Sequence, residues 1–252
     1  MNRHALRKMF KTAGPAVLPV IHVLDYDQTV RNVCVTMREG AQGVFLINHD
    51  FEYQKLLPIV CRIRSEFPWL WMGLNFLAVT GKEAFPVLSE LQRSGTQVDA
   101  YWADDARIDE CSATQTEAEE IDRARSQGAW NGLYFGGTAF KKQRPVAPEH
   151  YSSSAAIATQ HMDIVTTSGV ATGCAADMQK IRVFRKACAE QALAIASGIT
   201  PENVSAYAPC LDAILVATGI NQSGDFYNID AQRLRALLRE TRLTALPESK
   251  DN

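Results

Sequence analysis

The sequence predicts a single (β/α)8 barrel, and three observations carry that prediction. Short apolar runs of about five to seven residues alternate with longer amphipathic stretches along the whole chain without a break in composition, the pattern of parallel strands joined by right-handed crossover helices. The length, 252 residues of which 46% are hydrophobic, suits one barrel better than two smaller domains. Finally, three segments near the C-terminal end, 163–173 (DIVTTSGVATG), 193–204 (LAIASGITPENV) and 212–219 (DAILVATG), each run from a strand into a glycine turn and on toward a helix. That arrangement gathers backbone N–H groups and small hydroxyls at one spot.

In chain order the apolar runs are 17–22, 43–48, 70–75, 98–103, 130–135, 163–167, 193–197 and 212–217. The helical periodicities that follow them are 28–39, 53–67, 82–94, 116–127, 148–160, 177–190, a short one over 201–207, and 231–242. Gly40, Gly95 and Gly128 fall at or just past helix ends, as C-terminal caps do, and Pro201 suits the first turn of the short helix. Eight such units close naturally into a barrel, a doubly wound open sheet being the alternative. Residues 1–14 and 245–252 read as terminal extensions of a domain that otherwise spans 1–252.

A formal charge of −2 and the lack of a lysine or arginine run argue against a nucleic-acid partner. Residues 1–11 (MNRHALRKMFK) are basic, but no apolar stretch follows, so neither a secretory signal nor a membrane span is expected and the protein reads as cytoplasmic. The six cysteines show no C-x-x-C pair. Structural zinc is therefore not expected; Cys34, Cys61 and Cys188 read as small buried hydrophobes, and Cys174 alone falls in a functional loop.

In a barrel, chemistry gathers at the C-terminal ends of the strands. Those ends carry His22 and Asp25, then Asn48, His49 and Asp50, then Asn75, then Asp104 and Asp105. Further on come Gly136, Gly137 and Thr138 with Lys141 beyond, Thr167, Ser168 and Thr172, Ser197 and Gly198, and Thr218 and Gly219. The turns 197–200 and 217–220 form the expected phosphate grip: Gly198 and Gly219 let the backbone approach an anion, and Ser197, Thr200 and Thr218 offer hydroxyls. The other reading of these turns is tight strand-to-helix packing. Strand alternation sends one of Asp104 and Asp105 into the mouth and the other away; one of them is read as a general base or ribose-hydroxyl acceptor, the equal alternative being that Asp104 or Asp105 caps the following segment or pairs with Arg107. Lys141 and Lys142 suit substrate anchoring rather than Schiff-base chemistry, because they lie in a loop. His22 faces the mouth or serves structurally. Trp69, Trp71, Trp102 and Trp130 read as core. No cofactor is predicted, although Asp50 and His49 across the mouth from Asp104 leave a divalent metal conceivable. An open-sheet phosphoribosyltransferase is excluded, since Val165, Thr166 and Thr167 stand where its paired acids would precede the phosphate loop.

The last third of the chain, with S-G-V-A-T-G at 168–173, S-G-I-T-P-E-N-V at 197–204, D-A-I-L-V-A-T-G-I at 212–220 and D-F-Y-N-I-D at 225–230, resembles the BtpA/SgcQ family. G-V-F-L-I-N-H-D at 43–50 and G-L-N-F at 73–76 are similar to upstream elements of that family. After strand five, G-L-Y-F-G-G-T-A-F-K-K-Q-R departs from the family's more usual acidic strand end. The resemblance implies a phosphate-binding barrel, a link of some members to photosystem I biogenesis and a nucleosidase label on others. The expectation is therefore an enzyme acting on a small phosphorylated metabolite, by nucleosidase-like hydrolysis or transfer with Asp104, Asp105 or Asp50 as the carboxylate and Asn75 nearby. Sugar-phosphate isomerase or lyase chemistry, or a non-catalytic assembly role, is the alternative. A homo-oligomer is the expected assembly.

Overall fold

Eight parallel strands hydrogen-bond in sequence order, and the last pairs with the first to close the barrel. They are β1 (Ala16–Val23), β2 (Val44–Asn48), β3 (Met72–Asn75), β4 (Ala100–Ala103), β5 (Leu133–Gly137), β6 (Ile164–Ser168), β7 (Ala192–Ala196) and β8 (Ala213–Val216). The computed structural model describes residues 1–141 and 143–244, so Lys142 and the expected extension 245–252 lie outside the described residues. Strands β3, β4 and β5 begin later than their apolar runs, because Leu70, Val98 and Trp130 are buried beneath the strand starts rather than paired in the sheet. Trp69, expected in the core, is 71% exposed.

Alternation along each strand sends one set of side chains to the barrel interior and the other to the helices. The interior is uneven. Phe45, Trp102 and Phe135 fill the β2–β5 side, whereas Ala192, Ala194, Ala196 and Ala213 line the β7–β8 side. Gly73 makes room for the large rings: a Cβ there would lie 2.2 Å from the Phe45 ring. The outward faces pack under helices α2 (Tyr26–Glu39), α3 (Tyr53–Glu66), α4 (Gly81–Arg93), α5 (Thr116–Gln127), α6 (Tyr151–Ala158), α7 (Met178–Cys188), α8 (Val204–Tyr207) and α9 (Ala231–Leu243). Gly40 and Gly95 take the left-handed conformation of helix caps, but Gly128 is extended. Residues 148–150 form a 3-10 turn ahead of α6. Helix α8 starts after Pro201, because the Asn203 side chain holds the preceding turn through Thr200 N–H and the Gly198 carbonyl. Cys34 and Cys61 are exposed on their helices, contrary to their reading as buried hydrophobes; Cys188 is buried.

The basic N-terminal stretch forms α1 (Arg3–Phe10), which covers the N-terminal ends of the strands instead of trailing as an extension. Leu6 is fully buried against the barrel interior, and Phe10 meets Trp71 edge to face at 5.0 Å. Asp212, just before β8 and fully buried, accepts from Arg3, Arg7 and Arg185 at 3.1, 3.3 and 2.7 Å. Among the described residues no helix is long and apolar enough to cross a membrane.

Candidate active site at the barrel mouth

At the other end of the barrel a cavity opens to solvent between the loops, with room for water-sized molecules over about 50 Å³. Its wall includes Asp104, His22, His49 and Lys141, with Thr172, Ser197 and Thr218 on the β6–β8 side and Trp102, Val20 and Leu215 below. Asp104 follows Trp102 by two positions, so alternation that buries the indole in the barrel also turns the carboxylate inward, where it is 6% exposed. Asn75, at the end of β3, donates from Nδ2 to Asp104 Oδ1 at 3.3 Å.

Of the two adjacent acids only Asp104 faces the mouth. Asp105 accepts from the Arg107 backbone N–H at 2.8 Å, pairs with its guanidinium at 3.6 Å, and lines a separate surface depression. Asp50 is exposed and accepts from the Tyr227 hydroxyl. Asn48 ties two loops together, accepting from Leu77 N–H at 3.0 Å and donating to the Phe51 carbonyl at 2.7 Å. These three belong to the scaffold of the mouth rather than to its lining.

His22 ends β1 with its ring stacked on Phe226 at 3.8 Å and edge-on to His49 at 5.5 Å. Burial pulls its pKa down to about 4; the positive fields of His49 and Lys141 add to that, and the contact with the Phe226 carbonyl opposes it. The ring is thus neutral near pH 7. A carbonyl only accepts, so the 2.9 Å contact from Nδ1 to Phe226 O assigns the proton to Nδ1 and the lone pair to Nε2.

The three glycine turns stack on one another. Ser197 adopts φ +84°, accepts from Gly173 N–H at 3.0 Å and donates to the Ala171 carbonyl at 3.3 Å. A Cβ on Gly198 would lie 2.3 Å from the Cys174 carbonyl oxygen, and one on Gly219 would lie 1.9 Å from that of Ile199. Both glycines therefore satisfy loop-on-loop packing. Thr200 accepts from Glu202 N–H at 3.3 Å within its own turn. Of the expected phosphate grip, Ser197 and Thr218 reach the mouth, joined by Thr172, whereas Gly198, Thr200 and Gly219 shape the loops behind it. Ser168 is also buried behind the mouth, accepting from Lys141 N–H at 2.9 Å and donating to the Gly169 carbonyl.

Several buried polar groups here carry no signal in sequence periodicity. Lys180 on α7 is 7% exposed, and burial lowers its pKa to about 8. Among the described residues, Asn75 Oδ1, Trp102 Nε1 and Thr166 Oγ1 are buried without a hydrogen-bond partner. The buried indole of Trp130, by contrast, donates to the Val98 carbonyl at 2.8 Å. Strand alternation would have flagged Trp102 and Thr166 as inward-facing; nothing in the sequence would have flagged Phe226 as a cover for His22. Among the described residues no three His, Cys, Asp or Glu side chains are grouped to hold a metal ion.

The profile of the BtpA family matches residues 59–242. No curated protein matches the sequence. Among solved structures, the tryptophan synthase alpha chain from Legionella pneumophila subsp. pneumophila is 16% identical with a TM-score of 0.64, over 99% of each chain. Phosphoribosyl anthranilate isomerase from Thermus thermophilus is 15% identical with a TM-score of 0.56, over 92% of this chain and 99% of that one. A 4-hydroxy-2-oxoglutarate aldolase is 16% identical with a TM-score of 0.55, over 98% and 100%. At these identities the likeness is one of fold.

Proposed function

This chain belongs to the BtpA family, and from that premise we propose that it is a barrel enzyme that moves a proton on a small phosphorylated metabolite, with Asp104 as the acid–base group. The observation that carries this reading is the placement of one buried carboxylate in the mouth cavity, beside a neutral imidazole and a lysine. The Asn75 amide holds one oxygen of Asp104 and orients the other for proton transfer. Lys141, with the hydroxyls of Thr172 and Thr218, supplies charge and donors for a phosphate. His22, with its proton on Nδ1, presents the Nε2 lone pair as a hydrogen-bond acceptor at neutral pH.

Asp105 lines a separate depression and Asp50, near His22, is engaged by the Tyr227 hydroxyl, and this favours isomerase or lyase chemistry over a mechanism that needs two carboxylates flanking a glycosidic bond. Nucleosidase-like hydrolysis or transfer is the second reading. The Asp104–Asn75 pair supports it, because a carboxylate held in that way would stabilise positive charge at a ribosyl carbon and orient water.

A thermal-shift screen against phosphorylated sugars and nucleotides tests the reading, since a ligand that binds the folded state raises Tm. Turnover of the best ligand is then compared between wild type and Asp104→Asn, with an expected loss of about 10²–10⁴-fold and retained ligand binding. Product analysis separates isomerisation or cleavage from release of a base. A screen in which no phosphorylated compound shifts Tm, or an Asp104→Asn protein with full turnover, overturns it.

A further inference from the structure

Lys180 lies on the outer helix layer, yet its ammonium reaches inward to the rim of the mouth. Its Nζ donates to the Ala139 carbonyl at 2.5 Å and to the Ser168 carbonyl at 2.8 Å, and it lies 5.1 Å from the Tyr151 ring and 5.7 Å from that of Phe184. Burial accounts for the lowering of its pKa, with no charged partner contributing. A buried ammonium costs desolvation that two neutral carbonyls offset only in part, so stability alone is a poor reason for this residue.

What its two acceptors share is the loop that carries Lys141. Ala139 has φ +46°, a left-handed conformation that costs a residue with a Cβ roughly 1 kcal/mol or more. Its carbonyl also accepts from Thr167 Oγ1 at 3.4 Å. Two residues on, Lys141 donates its backbone N–H to Ser168 Oγ, and the Ser168 carbonyl takes Lys180's other bond. We propose that Lys180 is a positioning residue: by holding the left-handed bend at Ala139 against the end of β6, it aims Lys141 at the anionic group of the ligand. This rests on the reading that the mouth binds a phosphorylated compound.

The test is calorimetric titration with ribose 5-phosphate and with inorganic phosphate, using wild type, Lys180→Met, Lys141→Ala and the double variant. Lys180→Met is expected to weaken the better-binding probe by about tenfold, and to add almost nothing once Lys141 is gone. Ala139→Gly, which holds a left-handed bend without strain, is expected to restore part of the affinity lost in Lys180→Met. Lys180→Gln, neutral and still a donor, replaces the methionine variant if that does not fold, with the same expectations. Unchanged affinity in the Lys180 variant, or an equal loss with and without Lys141, overturns the proposal while leaving the reading of the mouth intact. Should wild type bind neither probe and no phosphorylated compound in the screen, that reading and this proposal fall together.

Discussion

Asp212 and Asp104 are both buried aspartates at the ends of barrel strands, and they live in opposite surroundings. Asp212, at the closed end, takes three arginines and the Leu193 N–H, and the α1 helix seals it from solvent. Asp104, at the open end, borders a cavity whose surroundings hold the unpartnered Asn75 Oδ1 and Trp102 Nε1, a desolvated lysine, and non-glycine residues in left-handed conformations at Ala139 and Ser197. Buried polar groups are ordinarily satisfied, and strain ordinarily relaxes. Both ends carry such departures, Arg7 Nε, Lys11 and Ala189 at the closed end and Asn75 Oδ1, Ala139 and Ser197 at the open one; what separates the ends is that Asp212 is fully paired under α1 whereas Asp104 borders a cavity.

Removing the carboxylate at the closed end is the strongest way to test that separation. Asp212→Ala leaves three guanidinium groups without their shared partner and is expected to lower unfolding free energy by about 3–5 kcal/mol in urea denaturation. Affinity for a mouth ligand should not change in the protein that remains folded; if it does, the two ends are not independent. Next in size is the response of His22 to acid. Its folded pKa of about 4 lies below the ordinary 6.5, so the unfolded chain binds that proton more tightly, and the contribution present above pH 6.5 is lost as pH falls toward 4. The stability difference between wild type and His22→Asn should therefore shift against wild type by up to about 2 kcal/mol from pH 7 to pH 5. A pH-independent difference would mean that His22 is not buried in its neutral form. The smallest effect, and of opposite sign to the first, is expected for Thr166→Val. It replaces an unpartnered hydroxyl by a methyl of similar shape and should raise stability by about 1 kcal/mol. A loss of stability instead would show that the hydroxyl is satisfied and that the open end is less frustrated than its contacts indicate.

The strands, their order and the end of the barrel that carries the polar groups were all legible from alternating apolar runs, because burial imposes its period on the residues themselves. Element boundaries were less so: Leu70, Val98 and Trp130 are as buried as strand residues although they do not pair. Among site residues, the polar strand ends brought Asp104, Asn75, His22, Lys141, Thr172, Ser197 and Thr218 to the mouth or its floor. Asn48, Asp50, Asp105, Ser168 and Thr200, read from the same strand ends, do not line the cavity and instead bond nearby backbone or side-chain partners.

The β/α barrel, the family resemblance and the polar character of the C-terminal strand ends could be read from the residues, because each depends on local pattern repeated along the chain. Tertiary structure alone decided which of Asp104 and Asp105 faces inward, since that choice follows from the register that buries Trp102. It also decided that Gly198 and Gly219 serve loop packing and that α1 closes the opposite end. Lys180 comes within hydrogen-bond distance of a carbonyl 41 residues away only when α7 docks on the barrel, and no spacing along the chain encodes that approach.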